Sequence, residues 1–247
     1  MVTAMPAAGI LRPTGGPCKG KTPKVTEIIR HLSPNQGPRR DGLRPSLVVI
    51  HYTAMRNAAD ALERLCDPAA EVSAHYLISG LGDIILMVEE DQRAWHAGQG
   101  EWAGQDDVNS RSIGIELDNM GTHPFSEPQM FALERLLRGI MDRWDIQPEG
   151  VIGHSDMAPG RKTDPGPRFD WARLSKQGLA GAGKARDMPN PPCPETFTEH
   201  AKNAGFTADV PFETLLAATR LRFAPWRSGP LCAQDMVFCH APASKWK

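Results

Sequence analysis

The chain has 247 residues, 40% hydrophobic and 23% charged, with 28 Lys and Arg against 29 Asp and Glu for a formal net charge of −1. These are the proportions of a folded globular chain, long enough for one large domain and a small one, and they exclude a disordered, coiled-coil or collagen-like protein. A balanced charge gives no basic footprint for nucleic acid, and the longest apolar run, Ile84–Val88, falls far short of the ~20 residues of a membrane-spanning helix.

Residues 1–43 are rich in Pro, Gly and basic side chains without periodicity and predict an extended N-terminal arm with no catalytic part. Neither a basic segment with a sustained apolar stretch nor a lipid-anchor pattern precedes Cys18, so the expected location is cytoplasmic, or periplasmic if the true start lies upstream. Five cysteines without a CxxC pair fit a reducing compartment. Of these, Cys232 and Cys239, beside His240, are expected as packing or surface residues of a C-terminal helix.

Leu47-Val48-Val49-Ile50 predicts a strand buried on both faces that ends at His51. Ala58, Ala61, Leu62 and Leu65 predict a helix over Asn57 to Cys66, and Ala74–Ser79 with Asp83–Val88 flank Gly80-Leu81-Gly82 as a hairpin. Ser112–Asp118 alternates, placing Ile113, Ile115 and Leu117 on one face and Ser112, Gly114, Glu116 and Asp118 on the other. Ser126 and Gln129 form a capping-box pattern before a long helix whose stripe includes Met130, Leu133, Leu137, Ile140, Met141 and Trp144. Val151-Ile152-Gly153 predicts a last short strand, His154 opens a Pro- and Gly-dense loop, and Asp170 to Lys176 predicts a closing helix. The expected organisation is an α/β catalytic domain at 44–178, a Gly/Pro-rich linker at 179–194, and a small helical tail at 195–247. Within the tail, helices are expected around Glu195–Asn203, Pro211–Arg222 and Leu231–His240, docked on the first domain.

Three chemical features stand out: His51 at a strand end, Glu116 on the polar side of a strand, and the Gly153–Pro167 loop with His154, Asp156, Arg161, Lys162 and Asp164. Two histidines and a carboxylate are a common ligand set for catalytic zinc, with a fourth position open. Spacing alone leaves both Asp156 and Asp164 as the carboxylate.

Five motifs, Val49-Ile50-His51-Tyr52-Thr53-Ala54, Ser73-Ala74-His75-Tyr76-Leu77-Ile78, Ala94-Trp95-His96-Ala97-Gly98, Asn109–Leu117 and Gly153–Pro167, resemble in order and spacing the zinc-dependent N-acetylmuramoyl-L-alanine amidases of the phage-lysozyme-like type. The resemblance spans roughly residues 44–178. Leu221-Arg222-Phe223-Ala224-Pro225-Trp226 is similar to part of a shortened helical, peptidoglycan-binding-like tail.

This resemblance implies a mixed central β-sheet flanked by helices and a zinc ion held by His51, His154 and Asp164, with Asp164 favoured over Asp156. It further implies Glu116 as general base and Lys162 as stabiliser of an oxyanion. Trp95, His96 and Arg161 are expected to meet substrate, and Gly114 to leave room for it. His75 and Tyr76 are expected to support the sheet, and His31, His123, His200 and His240 to be surface or packing residues. The implied reaction is hydrolysis of the amide between the lactyl group of N-acetylmuramic acid and the L-alanine of the stem peptide, in peptidoglycan or muropeptides. Neither a nucleic acid nor an obligate protein partner is expected. A binding-only recognition module, or a regulator whose tail recruits a partner, is the alternative class.

Overall fold

A computed structural model describes residues 27–186 and 193–239. Residues 1–26 of the expected arm with Cys18, residues 187–192 of the expected linker, and the stretch from His240 onward lie outside the described residues. Strands β1 (Ile29–Arg30) and β2 (Gln36–Pro38) precede β3 (Leu47–Tyr52) and helix α1 (Ala58–Cys66), whose first turn is capped by Asn57. Next come β4 (Tyr76–Ile78), β5 (Ile84–Leu86), β6 (Gln92–Ala94), the single turn α2 (Val108–Arg111) and β7 (Ser112–Leu117). The long helix α3 (Glu127–Trp144), β8 (Val151–Gly153), the turn α4 (His154–Met157) and α5 (Trp171–Lys176) follow. The remaining elements are β9 (Lys184–Ala185), α6 (Pro194–Asn203), α7 (Phe212–Phe223) and β10 (Val237–Phe238).

Six strands form one mixed sheet in the order β1-β5-β4-β7-β3-β8. The β4–β5 hairpin is antiparallel and the other four pairings are parallel. A sheet of mostly parallel strands needs cover on both faces. On one face Val48, Ile50, Ile113, Ile115 and Leu117 pack against Met130, Leu133, Leu137 and Ile140 of α3 and Leu174 of α5. Ser126 Oγ accepts from the Gln129 amide at 3.3 Å, but the reciprocal half of the capping box is replaced. Gln129 Nε2 instead donates to the carbonyls of Ile78 (2.9 Å) and Asp118 (3.2 Å), tying the start of α3 to the sheet.

The opposite face has two separate covers. Leu47, Val49 and Ile152 meet Phe197, Phe206, Leu215, Leu216 and Phe238 of the C-terminal segment. Further along, Leu77 and Met87 meet Ala61 and Leu65 of α1. Between the two covers, the polar side of β7 and the end of β3 line a cleft.

Three segments gain detail. Residues 27–43 of the expected arm are mostly exposed but tied to the domain: β1 extends the sheet beside β5, β2 pairs with β6, and the Arg39 guanidinium donates to the carbonyls of Glu90 (2.8 Å), Ser110 (2.9 Å) and Ser112 (3.1 Å). The stretch following α5 is no free linker, because Leu179 and Ala180 are buried and β9 pairs antiparallel with β10. The third tail helix is replaced by a 3-10 turn at Ala233–Asp235 and β10. There the Asp235 carboxylate binds Arg220 (2.7 and 2.8 Å) and accepts from the Cys232 amide (3.0 Å), capping the start of the turn. Cys239 is buried, and burial pushes its thiol up, towards the unreactive protonated form.

The tail is fastened by a buried ion pair. Arg222 of α7 donates to Asp156 Oδ2 at 2.7 Å and to the Val151 carbonyl at 3.1 Å, and lies 4.1 Å over the Trp171 ring. Among the described residues no helix is long and apolar enough to cross a membrane.

Candidate active site

The parallel register of β3 and β7 sets His51 opposite Glu116 at the carboxyl ends of the two strands, where ligand sites of such sheets lie. On the other side of β3, β8 delivers His154 as the first residue of α4. Asp164 is returned to the same point by its loop, whose carbonyl accepts from the Ser155 amide at 2.9 Å. His51, His154 and Asp164 are all buried. His51 Nδ1 lies 2.9 Å from His154 Nδ1 and 2.9 Å from Asp164 Oδ2, and His154 Nδ1 lies 3.0 Å from the same oxygen.

The surrounding partners determine what those three atoms are. His154 Nε2 is 2.9 Å from the Ala97 carbonyl, which only accepts, so the Nε2 proton is donated there and Nδ1 is bare. Burial, then the neighbouring His154, pushes the His51 imidazole down to about 4, so it is neutral at neutral pH. His51 Nε2 lies 3.0 Å from His96 Nδ1. Two ring nitrogens and a carboxylate oxygen thus converge on one point. Such a cluster repels itself unless a cation sits among the three, and this nitrogen and oxygen donor set suits zinc. Asp156, the rival ligand by spacing, is taken out of contention by its pairing with Arg222 and the Gly153 amide (2.8 Å).

Glu116 borders this cluster. Its Oε2 is buried with no hydrogen-bond partner among the described residues. Burial and then the Asp164 charge push its carboxyl up to about 8, against the opposing pull of Lys162. A carboxyl poised near neutrality at a cation-binding cluster is suited to moving a proton. The cavity in front, of about 410 Å3, is lined by these groups together with Tyr52, Met55, Arg64, Trp95, Arg161 and Lys162.

Two expected substrate contacts look different in place. His96 lines the cavity but has both ring nitrogens engaged within the protein: Nδ1 with His51, and Nε2 with Ser112 Oγ at 3.2 Å. Arg161 donates to the carbonyls of Ala97 (2.6 Å) and Gln99, so its guanidinium props the 97–99 loop at the cavity rim. Gly114 leaves room for the His96 ring and not for substrate, since a Cβ there would lie 2.4 Å from the ring's Cγ. Gly114→Ala is therefore expected to cost about 1–3 kcal/mol by overpacking. An unchanged urea midpoint would show that the ring has space to spare.

Sequence reasoning passed over Asn109. Its buried Oδ1 accepts from the amides of both His96 (3.0 Å) and Ala97 (2.9 Å), pinning the loop that contacts both His51 and His154. Its only signal was a place within a recognised motif, because a side chain that serves backbone amides leaves no periodic trace. His75 does support the sheet, accepting from the Gly114 amide at 3.0 Å. His31 and His123 are exposed, and His200 stacks on Phe238.

Comparison with known proteins agrees with this geometry. The family model described as N-acetylmuramoyl-L-alanine amidase matches residues 41–167. The N-acetylmuramoyl-L-alanine amidase AmiD of Escherichia coli is 41% identical over 152 residues, 55% of this chain, and the match spans only 54% of that relative's length. The 1,6-anhydro-N-acetylmuramyl-L-alanine amidase AmpD of the same organism is 38% identical over 159 residues, 58% of this chain and 87% of the relative. A solved complex of E. coli AmiD with anhydro-N-acetylmuramic acid-L-Ala-D-gamma-Glu-L-Lys superposes with a TM-score of 0.69 at 32% identity, covering 79% of this chain and 88% of that one. With the mixed sheet, the His-His-Asp cluster and the family model in agreement, the chain belongs to the N-acetylmuramoyl-L-alanine amidase family.

Proposed function

We propose that the chain is a zinc enzyme that hydrolyses the amide between the lactyl group of N-acetylmuramic acid and the L-alanine of the stem peptide, acting on muropeptides or peptidoglycan in cell-wall turnover or recycling. The observation that carries this reading is the convergence of His51 Nδ1, His154 Nδ1 and Asp164 Oδ2 beside the partnerless Glu116 Oε2. The muramyl peptide in the AmiD complex supports the substrate class.

His51, His154 and Asp164 would hold the ion, which supplies Lewis acidity towards the lactyl carbonyl and acidifies water beside it. Glu116 takes the proton of the attacking water and returns it to the departing L-alanine nitrogen. Lys162 brings positive charge to the cavity wall, where negative charge grows on the carbonyl oxygen. Trp95 forms an aromatic wall for the sugar or peptide, and Arg161 holds the rim through the Ala97 and Gln99 carbonyls. We assign catalysis to residues 44–178, with the segment from 195 onward as its brace, and recycling inside the cytoplasm as the setting.

The test is mass spectrometry of purified muramyl peptides, with and without the 1,6-anhydro ring, incubated with the protein before and after chelation and after zinc is restored. Free stem peptide beginning with L-alanine is expected, lost on chelation and regained with zinc. Intact substrate throughout would defeat the assignment, and release that ignores chelation would remove the metal from it.

A further inference from the structure

We propose that His96 is a positioning residue whose hydrogen bond fixes the ring tautomer of His51 and so keeps His51 Nδ1 bare for a metal ion. This inference rests on the metal centre proposed above.

The argument follows a chain of single-valued hydrogen bonds. Ser112 Oγ lies 2.6 Å from the Val108 carbonyl, which has no proton to give, so the hydroxyl proton points there. The Ser112 oxygen therefore turns a lone pair to His96 Nε2 at 3.2 Å, and His96 must carry its proton on Nε2. His96 Nδ1 is then an acceptor, and the His51 Nε2 proton 3.0 Å away satisfies it. A neutral imidazole protonated on Nε2 has nothing on Nδ1. One buried backbone carbonyl thus sets the protonation of a ring two residues removed from it in the chain of contacts.

The scaffold holds this arrangement in place. Asn109 fixes the backbone of His96 and Ala97, and Gly114 opens the space that the His96 ring fills. The same two-residue stretch orients both ligands, His51 through the His96 side chain and His154 through the Ala97 carbonyl. Partners that orient ligand imidazoles typically contribute 10–100-fold to metal affinity.

The experiment compares the full chain with His96→Leu, His96→Asn and Ser112→Ala. Asn places an amide oxygen where Nδ1 stood, and Ser112→Ala removes the acceptor behind His96 without touching a ligand. Two readouts are taken: zinc affinity by competition with a chromophoric chelator, and the His51 tautomer in the metal-free protein by nitrogen-15 NMR. In the unsubstituted chain His51 is expected to be protonated on Nε2. His96→Leu is expected to bind zinc about 10–100-fold more weakly and to show mixed His51 tautomers, with His96→Asn restoring most of both and Ser112→Ala intermediate. A His51 protonated on Nδ1 in the unsubstituted chain, or a folded His96→Leu with unchanged tautomer and zinc affinity, would overturn the proposal. Failure of the unsubstituted chain to bind zinc would instead overturn the metal centre, while the NMR result would still decide the role of His96.

Discussion

Glu116→Gln is expected to lower the turnover rate of the zinc-loaded protein by about 10²–10⁴-fold, the usual contribution of a positioned general acid or base, while leaving zinc bound. The substitution keeps the shape of the side chain and removes only its ability to accept a proton. Single-turnover kinetics on a muramyl peptide, with metal content measured on the same sample, checks both halves. A rate within threefold of the parent would remove Glu116 from the mechanism.

The same residue has a stability signature in the metal-free protein. Burial and the Asp164 charge raise its carboxyl from the ordinary 4.5 to about 8, which favours the protonated form in the folded state. An acid raised on folding adds stability in full below its unfolded value, and that contribution is lost as pH rises through the folded one. Between about pH 4.5 and 8 the metal-free parent should therefore lose stability relative to Glu116→Gln, which remains neutral throughout. Urea midpoints at several pH values give the comparison, and parallel curves for the two proteins would contradict it.

Arg222→Met is expected to cost about 3–5 kcal/mol, because removing one partner of a buried pair leaves the other charge uncompensated. Asp156 is fully enclosed, and burial already pushes its carboxyl up even with Arg222 beside it. For a chain of this size the loss corresponds to a fall in Tm on the order of 10 °C. Adding Asp156→Asn should recover much of it, since the amide keeps an acceptor for Gly153 N and carries no charge. A double variant no more stable than Arg222→Met would mean that Arg222 acts through Trp171 packing and the Val151 carbonyl instead. Turnover should fall with stability in Arg222→Met, because Asp156 belongs to the same single helical turn as His154.

What the sequence disclosed depended on whether the signal was local. The apolar run before His51, the alternation around Glu116 and the capped stripe of α3 each repeat with the period of their element, so they were legible. β1 and β9 are two residues long each and exist only because β5 and β10 lie alongside, which no local pattern records. In place of the expected helix at Leu231–His240, Val237 and Phe238 pair with β9, more than fifty residues earlier, a partner that no local pattern in the segment records. Within the site, the juxtaposition of His51, His154, Asp164 and Glu116 had its signal in the motifs. The duties of His96, Gly114 and Asn109 had none, since each serves another residue of the protein.

The facing of His51 and Glu116 across two hydrogen-bonded strands also separates two kinds of change that the molecule can undergo. Their spacing is set by backbone pairing, so loops around the cavity can lengthen or exchange side chains without moving Glu116 relative to His51. A single-residue insertion within β7 would instead turn Glu116 toward α3, since successive strand residues point to opposite faces. The cavity rim is thus free to drift in the loops, while the facing of His51 and Glu116 is inherited with the pairing of β3 and β7 as one indivisible unit.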